Sequence, residues 1–143
     1  MANYPSNIIE KQTGSNAGKL STTELAGRVR IVHGSIVPAS AYAAGSVIEL
    51  ARLPKGARLL PLSQIHFEAG QNASLTVKVG DSADDDRYFA AAAPGANATT
   101  ISLNANRLAD YVLPAEDVIK MTTGSQALAS GKKIFFDLFY VVD

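Results

Sequence analysis

Apolar and polar residues alternate along most of this chain of 143 residues, with a period close to two. In SLTVKVGD the apolar positions are Leu75, Val77 and Val79, and in QIHFEAG they are Ile65 and Phe67. Successive side chains of a β-strand point to opposite faces, so this period indicates half-buried strands. The same reasoning predicts further strands at RVRIV and at residues 46–53, 87–92, 99–103, 111–113, 118–122 and 133–142.

Turn residues separate these segments. LPKGA places Pro54 and Gly56 where a type I turn favours its second and fourth residues, and AGQNAS reads as a hairpin loop. No segment holds a helical period, although LNANRLADYVL is compatible with a short helical turn. Eight or nine short strands at this spacing predict an all-β protein, a jelly-roll-like β-sandwich over residues 27–143.

The first 26 residues differ from the rest, because they are rich in Gly, Ser, Thr and Asn and carry few apolar residues. We expect an extended N-terminal arm there. Its adjacent Ile8 and Ile9 either fold back onto their own domain or anchor the arm on another surface. The first strand follows the arm, and its alternation predicts that Val29 and Ile31 face the core while its arginines face solvent.

Composition narrows the classes of function. The 13 basic residues balance 13 acidic ones, so the cationic excess typical of nucleic-acid binding is missing and no direct nucleic-acid partner is predicted. Without Cys there is no disulfide framework and no thiolate zinc site. The N-terminus lacks a signal-peptide core, and no apolar run approaches membrane-spanning length, which predicts a soluble protein made in the cytoplasm.

The stretch VGDSADDDRYFAAAA offers the strongest candidate chemistry, a Gly-Asp-Ser sequence containing Ser82. A serine nucleophile needs a histidine base. Hydrolases with this motif carry that histidine near the C-terminus, whereas His33 and His66 both precede Ser82 in this chain. The sequence therefore predicts no catalytic residue and no enzyme.

The loop offers four possible Ca²⁺ ligands, Asp81, Asp84, Asp85 and Asp86, but the last three are consecutive and lack the alternating ligands of a calcium loop. On an extended backbone their side chains would diverge. We predict a solvated loop in which Asp84 or Asp86 pairs with Arg87, and we predict no metal site and no cofactor.

The segment KKIFFDLFYVVD departs from simple alternation, because it places large apolar residues on both faces of one strand. One face would carry Ile134, Phe136, Leu138, Tyr140 and Val142, and the other Phe135, Phe139 and Val141, interrupted by Lys133 and Asp137. A sandwich strand normally shows one face to water, so either the same chain or another chain covers the second face.

Several stretches resemble small structural proteins of tailed phages: the GRVR strand after a polar arm, the LPKGARLL turn, the VGDSADDDRYF loop and the closing ALASGKKIFFDLFYV. The similarity covers about residues 27–143. It is to the capsid cement, or decoration, proteins of short-tailed phages, the family that includes the cement protein of a Bordetella phage.

This resemblance implies a jelly-roll domain on the outside of an icosahedral head, bound to the major capsid protein and associated as a dimer. Its implied role is to cement neighbouring capsid subunits against internal pressure. We expect the arm residues Tyr4, Ile8 and Ile9 and the strand residues Phe135, Phe139 and Val141 to form the protein interface. A minor neck or tail protein and a jelly-roll carbohydrate-binding module, using Tyr42, Tyr88 or Tyr111, are the alternatives.

Overall fold

A computed structural model describes residues 28–103 and 111–142 of the chain. These residues form nine strands and no helix: β1 (Arg30–Ile36), β2 (Val47–Leu53), β3 (Ala57–Leu59), β4 (Gln64–Phe67), β5 (Thr76–Gly80), β6 (Phe89–Ala92), β7 (Thr99–Ser102), β8 (Asp117–Gly124) and β9 (Ile134–Val142). The all-β prediction is confirmed. Most of the segment LNANRLADYVL lies outside the described residues, and no helix long and apolar enough to cross a membrane occurs within them.

The strands form two antiparallel sheets. The five-stranded sheet has the order β1-β9-β4-β7, with β3 pairing with β9 beyond the end of β4, and the four-stranded sheet has the order β2-β8-β5-β6. Without β3, this is the eight-stranded order of a jelly roll, in which consecutive strands repeatedly change sheet. The predicted sandwich architecture is therefore confirmed.

The core lies between the sheets and is filled by the alternate residues of each strand. Val77 and Val79 of β5, Ile65 and Phe67 of β4 and Met121 of β8 are completely buried, as their alternation predicts. At about 25 cal/mol per Å² of apolar surface, these side chains supply much of the free energy that opposes chain entropy.

In the first strand, the face that turns towards the core is the opposite of the one predicted from the sequence. Val29 and Ile31 are 52% and 54% exposed, while Val32 and Ile36 pack against the core. The inward position between them is Gly34, where an added Cβ would lie 2.3 Å from the ring of Phe136. Phe136 of β9 therefore fills the core space that a side chain at Gly34 would otherwise occupy. This prediction was wrong because sequence alternation does not show which face of a strand turns inward.

Two turn predictions also need correction. The backbone N–H of Ala57 donates to the carbonyl of Pro54 at 3.1 Å, and Gly56 has a φ of +82°. The turn therefore begins at Pro54 and has Gly at its third position, as a type II turn requires. AGQNAS is not a hairpin loop, because β4 and β5, which it joins, belong to different sheets.

One observed strand was not predicted, and one predicted strand does not form. β3 begins at Ala57, directly after the turn at Pro54, and it pairs with the last residues of β9. Residues 111–113, predicted as a strand, form none, but Leu113 exchanges backbone hydrogen bonds with Gly56 and Ala57. Both differences arise where short segments gain their conformation from a neighbour.

Candidate protein interface

The outer face of the five-stranded sheet is the first candidate site. On β9, the buried side chains of Ile134, Phe136 and Leu138 point into the core, so Phe135 and Phe139 point away from it. Directly opposite residues of paired strands share a face. The register therefore adds residues of β1 and β4 to this surface, which we call the aromatic face: Ile31, His33, Ser35, Gln64, His66, Phe135, Asp137 and Phe139.

Polar and cationic groups surround the ring of Phe135. The Nζ of Lys133 lies 4.6 Å from its centroid, and the His66 ring is tilted against it at a centroid distance of 6.2 Å. His66 Nδ1 lies 2.8 Å from Thr100 Oγ1 on the next strand. These contacts fix the orientation of a half-buried aromatic ring on the sheet surface.

One acidic group lies near the centre of the aromatic face. Asp137 is opposite His33 on β1, and the His33 Nδ1 lies 2.5 Å from its Oδ1. The His33 side chain is 67% exposed and that of Asp137 is 27% exposed. A hydrogen-bonded pair at this exposure contributes little to folding. It places two polar side chains on the surface beside the two phenylalanines.

The backbone around Phe139 is held independently of its ring. The N–H of Phe139 donates to Ser63 Oγ at 2.9 Å, and its carbonyl accepts hydrogen bonds from Ser63 Oγ and from the N–H of Leu60. Ser63 is completely buried. These bonds bridge the gap between β4 and β3 along β9, so the position of Phe139 does not depend on what its side chain contacts.

The predicted interface residues differ in how much surface they offer. Phe135 and Phe139 are half-buried on the aromatic face. Val141 is only 4% exposed, and it lies directly opposite Arg58 of β3, whose long side chain is close enough to cover it. Val141 therefore offers almost no surface to a partner in the isolated chain. Tyr4, Ile8 and Ile9 lie outside the described residues.

The acidic loop is organised around Asp81, whose burial the sequence did not predict. This carboxylate is 3% exposed and accepts hydrogen bonds from the N–H groups of Ala83 and Asp84 and from Arg87 Nε at 2.6 Å. Asp84 lies 3.9 Å from Arg87, so the predicted Asp84–Arg87 pair is present but secondary. Asp side chains commonly bond the backbone two or three residues ahead. This preference is the signal in the sequence from which the role of Asp81 could have been predicted.

The loop folds back tightly on the end of β5. A Cβ added to Gly80 would lie 2.0 Å from the carbonyl oxygen of Asp84, so only glycine fits there. This reversal brings carboxylate oxygens of Asp84, Asp85 and Asp86 within 4.8 Å of one another, whereas an extended loop would have separated them. All three are exposed, and Asp85 pairs with Lys78. Exposed acidic groups of this kind do not by themselves define a metal site.

Ser82 bonds to Asp117 and Lys120 rather than to a histidine. Its Oγ donates to Asp117 Oδ1 at 2.6 Å and accepts from Lys120 Nζ at 2.9 Å. Burial acts to raise the pKa of Asp117, but hydrogen bonds from Ser82 and from the Val118 N–H lower it below its usual value. Both histidines lie on the other sheet, so neither is placed to act as the base of a serine nucleophile. The contacts fasten the loop to β8.

The tyrosines proposed for carbohydrate binding are not open platforms. Tyr88 is 4% exposed, and burial raises its pKa. The guanidinium of Arg87 covers the ring of Tyr111 at 3.7 Å from its centroid. Tyr42 packs against the core and pairs with Leu128. Stacking of a sugar requires an exposed ring, so these positions do not favour a carbohydrate-binding module.

Comparison with known proteins identifies relatives of the fold only through structure. No protein-family model matches the chain, and no curated protein sequence does. A chain in the capsid of Ralstonia phage GP4 is similar, with a TM-score of 0.66, 24% identity and coverage of 84% of this chain and 88% of that chain.

A second similar chain belongs to the capsid asymmetric unit of cyanophage Pam1, with a TM-score of 0.56, 19% identity and coverage of 83% of this chain and 88% of that chain. The protein thus shares its fold with chains found in two phage capsid structures. At these identities the likeness defines the fold and not the activity.

Proposed function

We propose that the protein is a non-enzymatic structural component of a tailed-phage virion, one that binds the outer surface of the head and cements neighbouring major capsid subunits. The observation that carries the proposal is the shared fold over 84% of the chain with a protein of the Ralstonia phage GP4 capsid. The sequence resemblance to capsid cement proteins points the same way. In this proposal the chain is made in the host cytoplasm and acts on the capsid surface.

The aromatic face is the proposed docking surface for the major capsid protein. Phe135 and Phe139 supply large apolar contacts, and Ile31, which is 54% exposed, extends them onto β1. Exposed aromatic residues next to polar groups are typical of interface hot spots. A stable interface buries about 800 Å² on each partner, which several strands of such a face can supply.

The mechanism is mechanical. A rigid sandwich that contacts two neighbouring subunits adds interface area that must be broken before the subunits separate. Pressure from packaged DNA then acts against more contacts per subunit. In the proposal, the arm residues Tyr4, Ile8 and Ile9 reach a neighbouring subunit and the protein associates as a dimer, which doubles the number of attachments made by one assembly.

The first test is copy number in purified virions, measured by quantitative mass spectrometry against the major capsid protein. A ratio near parity supports a cement protein that covers the shell. A few copies in each particle would instead indicate a neck or tail component, and complete absence from particles would refute a virion role.

The second test is binding of purified protein to capsids that lack it, followed by co-sedimentation. Phe139→Asp should abolish binding, because it replaces one of the two aromatic rings of the face with a charge, and should leave thermal unfolding nearly unchanged, because Ser63 and Leu60 hold the backbone there. Thr122→Asp, on the outer face of the other sheet, is the matched control and should bind normally. Normal binding by Phe139→Asp would move the docking surface elsewhere.

A further inference from the structure

One edge of the sandwich is open on both sheets. Among residues 28–103 and 111–142, β1 pairs only with β9 and β2 pairs only with β8, so each has a free edge. The two edges lie side by side, because a groove of about 380 Å³ is lined by Ile36 of β1 and by Val47, Ile48 and Glu49 of β2. Tyr42, in the connection between these strands, closes one end of the lining.

The two edges differ in protection against pairing. The register of β2 with β8 is interrupted between Glu49 and Ala51, and such a bulge disfavours further pairing. The register of β1 with β9 runs without interruption from Arg30 to Ile36, and β1 contains no proline. A strand of this length with a regular free edge is a template for another strand.

Exposed apolar side chains concentrate along this edge. Val29, Ile31, Val37 and Val47 are each more than half exposed in the isolated chain, and three of the four lie in or beside β1. Ile48, next to Val47, belongs to the core, so the groove leads from the surface to the interior. Contiguous apolar surface at a free strand edge is normally covered in the functional molecule.

We propose that this edge receives the N-terminal arm of a second copy of the chain, which adds a strand beside β1. Residues 1–26, outside the described residues, precede β1, and an extended segment of that length spans about 85–95 Å. A domain of about 100 residues has a radius of gyration of only about 13 Å, so an extended segment of that length is long enough to reach a second copy.

The adjacent isoleucines of the arm suit such an edge. Because successive residues of a strand point to opposite faces, Ile8 and Ile9 of an added strand place one side chain on each face of the sheet. One enters the groove beside Ile36 and Val47, and the other contacts Val37, the exposed residue next to Ile36. Main-chain hydrogen bonds to β1 supply affinity, and the groove selects the register. This contact rests on the dimeric association in the proposed function and names the surfaces that form it, whereas docking of the aromatic face on the capsid does not require it.

Cysteine cross-linking tests the proposal directly, because the chain contains no cysteine. Full-length protein carrying Ile8→Cys is mixed with full-length protein carrying Val47→Cys and treated with a short thiol-specific cross-linker. We expect a cross-linked dimer of the two variants, identified by the mixed peptide in mass spectrometry. Ala115→Cys is the matched control, because Ala115 is also exposed but precedes Asp117, which pairs with Leu53 at the opposite end of β2.

Several outcomes would overturn the proposal. A double variant, Ile8→Cys/Val47→Cys, that cross-links within one chain would place the arm on its own domain. A cross-link between the Val47→Cys residues of two chains would indicate that the two edges pair directly. Equal cross-linking to Ala115→Cys, or none to Val47→Cys, would exclude a specific contact. As a second readout, Ile8→Asp/Ile9→Asp should abolish association in sedimentation equilibrium, should leave a folded β-sheet spectrum in circular dichroism, and should remove the concentration dependence of the Tm. Capsid binding enters none of these measurements, so failure here and failure of the proposed function are distinguishable.

Discussion

The two outer faces of the sandwich contrast sharply although the sheets share one core. The central strand β8 alternates regularly, with Ile119 and Met121 buried and Lys120 and Thr122 facing outward. The outer face of the four-stranded sheet is therefore mostly polar, with Glu49 opposite Lys120, although the apolar residue Val47 is exposed at its edge, opposite Thr122. The central strand β9 instead carries Phe135 and Phe139 on its outer side. The inner residues of both sheets form one shared core, so the two sheets differ in what their outer faces present.

The largest expected loss of stability comes from the side of β9 that faces the core. Phe136→Ala should lower the free energy of unfolding by about 3–5 kcal/mol, because the ring is 6% exposed and its loss leaves a cavity. Phe135→Ala, the adjacent residue on the outer face, should cost clearly less. Urea denaturation measures both. Equal losses would mean that Phe135 is as much a part of the core as Phe136, and the contrast between the faces would fail.

A smaller effect is expected at Gly34, which faces Phe136. Gly34→Ala should destabilise the protein by about 1–3 kcal/mol, because the new methyl group lies 2.3 Å from the Phe136 ring and the packed core cannot absorb it. Ser35→Ala, on the outer face, is the control and should have little effect. An unchanged denaturation midpoint for Gly34→Ala would show that the ring moves aside freely.

Asp117 links the polar sheet to the acidic loop, and its lowered pKa predicts that the stability of the fold depends on pH. Its pKa in the folded chain is below the ordinary value of 3.8, so between these two values the unfolded chain binds more protons and stability rises with pH. The contribution of Asp117 is present above about pH 4 and is lost as the pH falls through the folded pKa. Asp117→Asn should cost about 1 kcal/mol at neutral pH.

Thermal unfolding measured between pH 2 and 7 shows how the stability depends on pH, because this range includes the pH of about 4 at which carboxyl groups titrate. The difference in stability between the natural protein and Asp117→Asn should shrink as the pH falls. A difference that stays constant over the range would show that the charge of Asp117 contributes nothing, and that the variant acts through packing alone.

The smallest effect is expected on the polar outer face. Glu49→Ala should change the free energy of unfolding by less than about 0.5 kcal/mol, because the residue is exposed and a pair with Lys120 at the surface is weak. Chemical denaturation provides the comparison with Phe135→Ala. A larger loss at Glu49 than at Phe135 would reverse the ranking of the two faces.

Most of the fold could be predicted from the sequence because burial imposes alternation. β4, β5 and β8 lie where their apolar residues predict, and the inner faces of β4 and β5 are as expected. The phase of β1 could not be predicted, because its inward position is a glycine that makes room for a residue 102 positions later, Phe136. Such a contact leaves no mark in the local pattern.

The candidate sites were predictable only in part. The double-sided character of β9 identified Phe135 and Phe139, but nothing local to Val141 indicates that Arg58 lies opposite it. Likewise, Asp81 precedes the more conspicuous run of aspartates, and its burial depends on the reversal at Gly80. Topology and register decide these features, and both arise from distant parts of the chain.

The position of β9 has a consequence for how the protein folds during synthesis. β9 pairs with β1, β3 and β4, so three strands made earlier have no partner on that side until residues 134–142 leave the ribosome. His33 and Asp137, which pair in the sheet, are 104 residues apart. Proteins dominated by such distant contacts fold in about milliseconds to seconds, and their unpaired edges are prone to aggregation meanwhile. Truncation within β9 should therefore leave an insoluble chain rather than a slightly weakened domain.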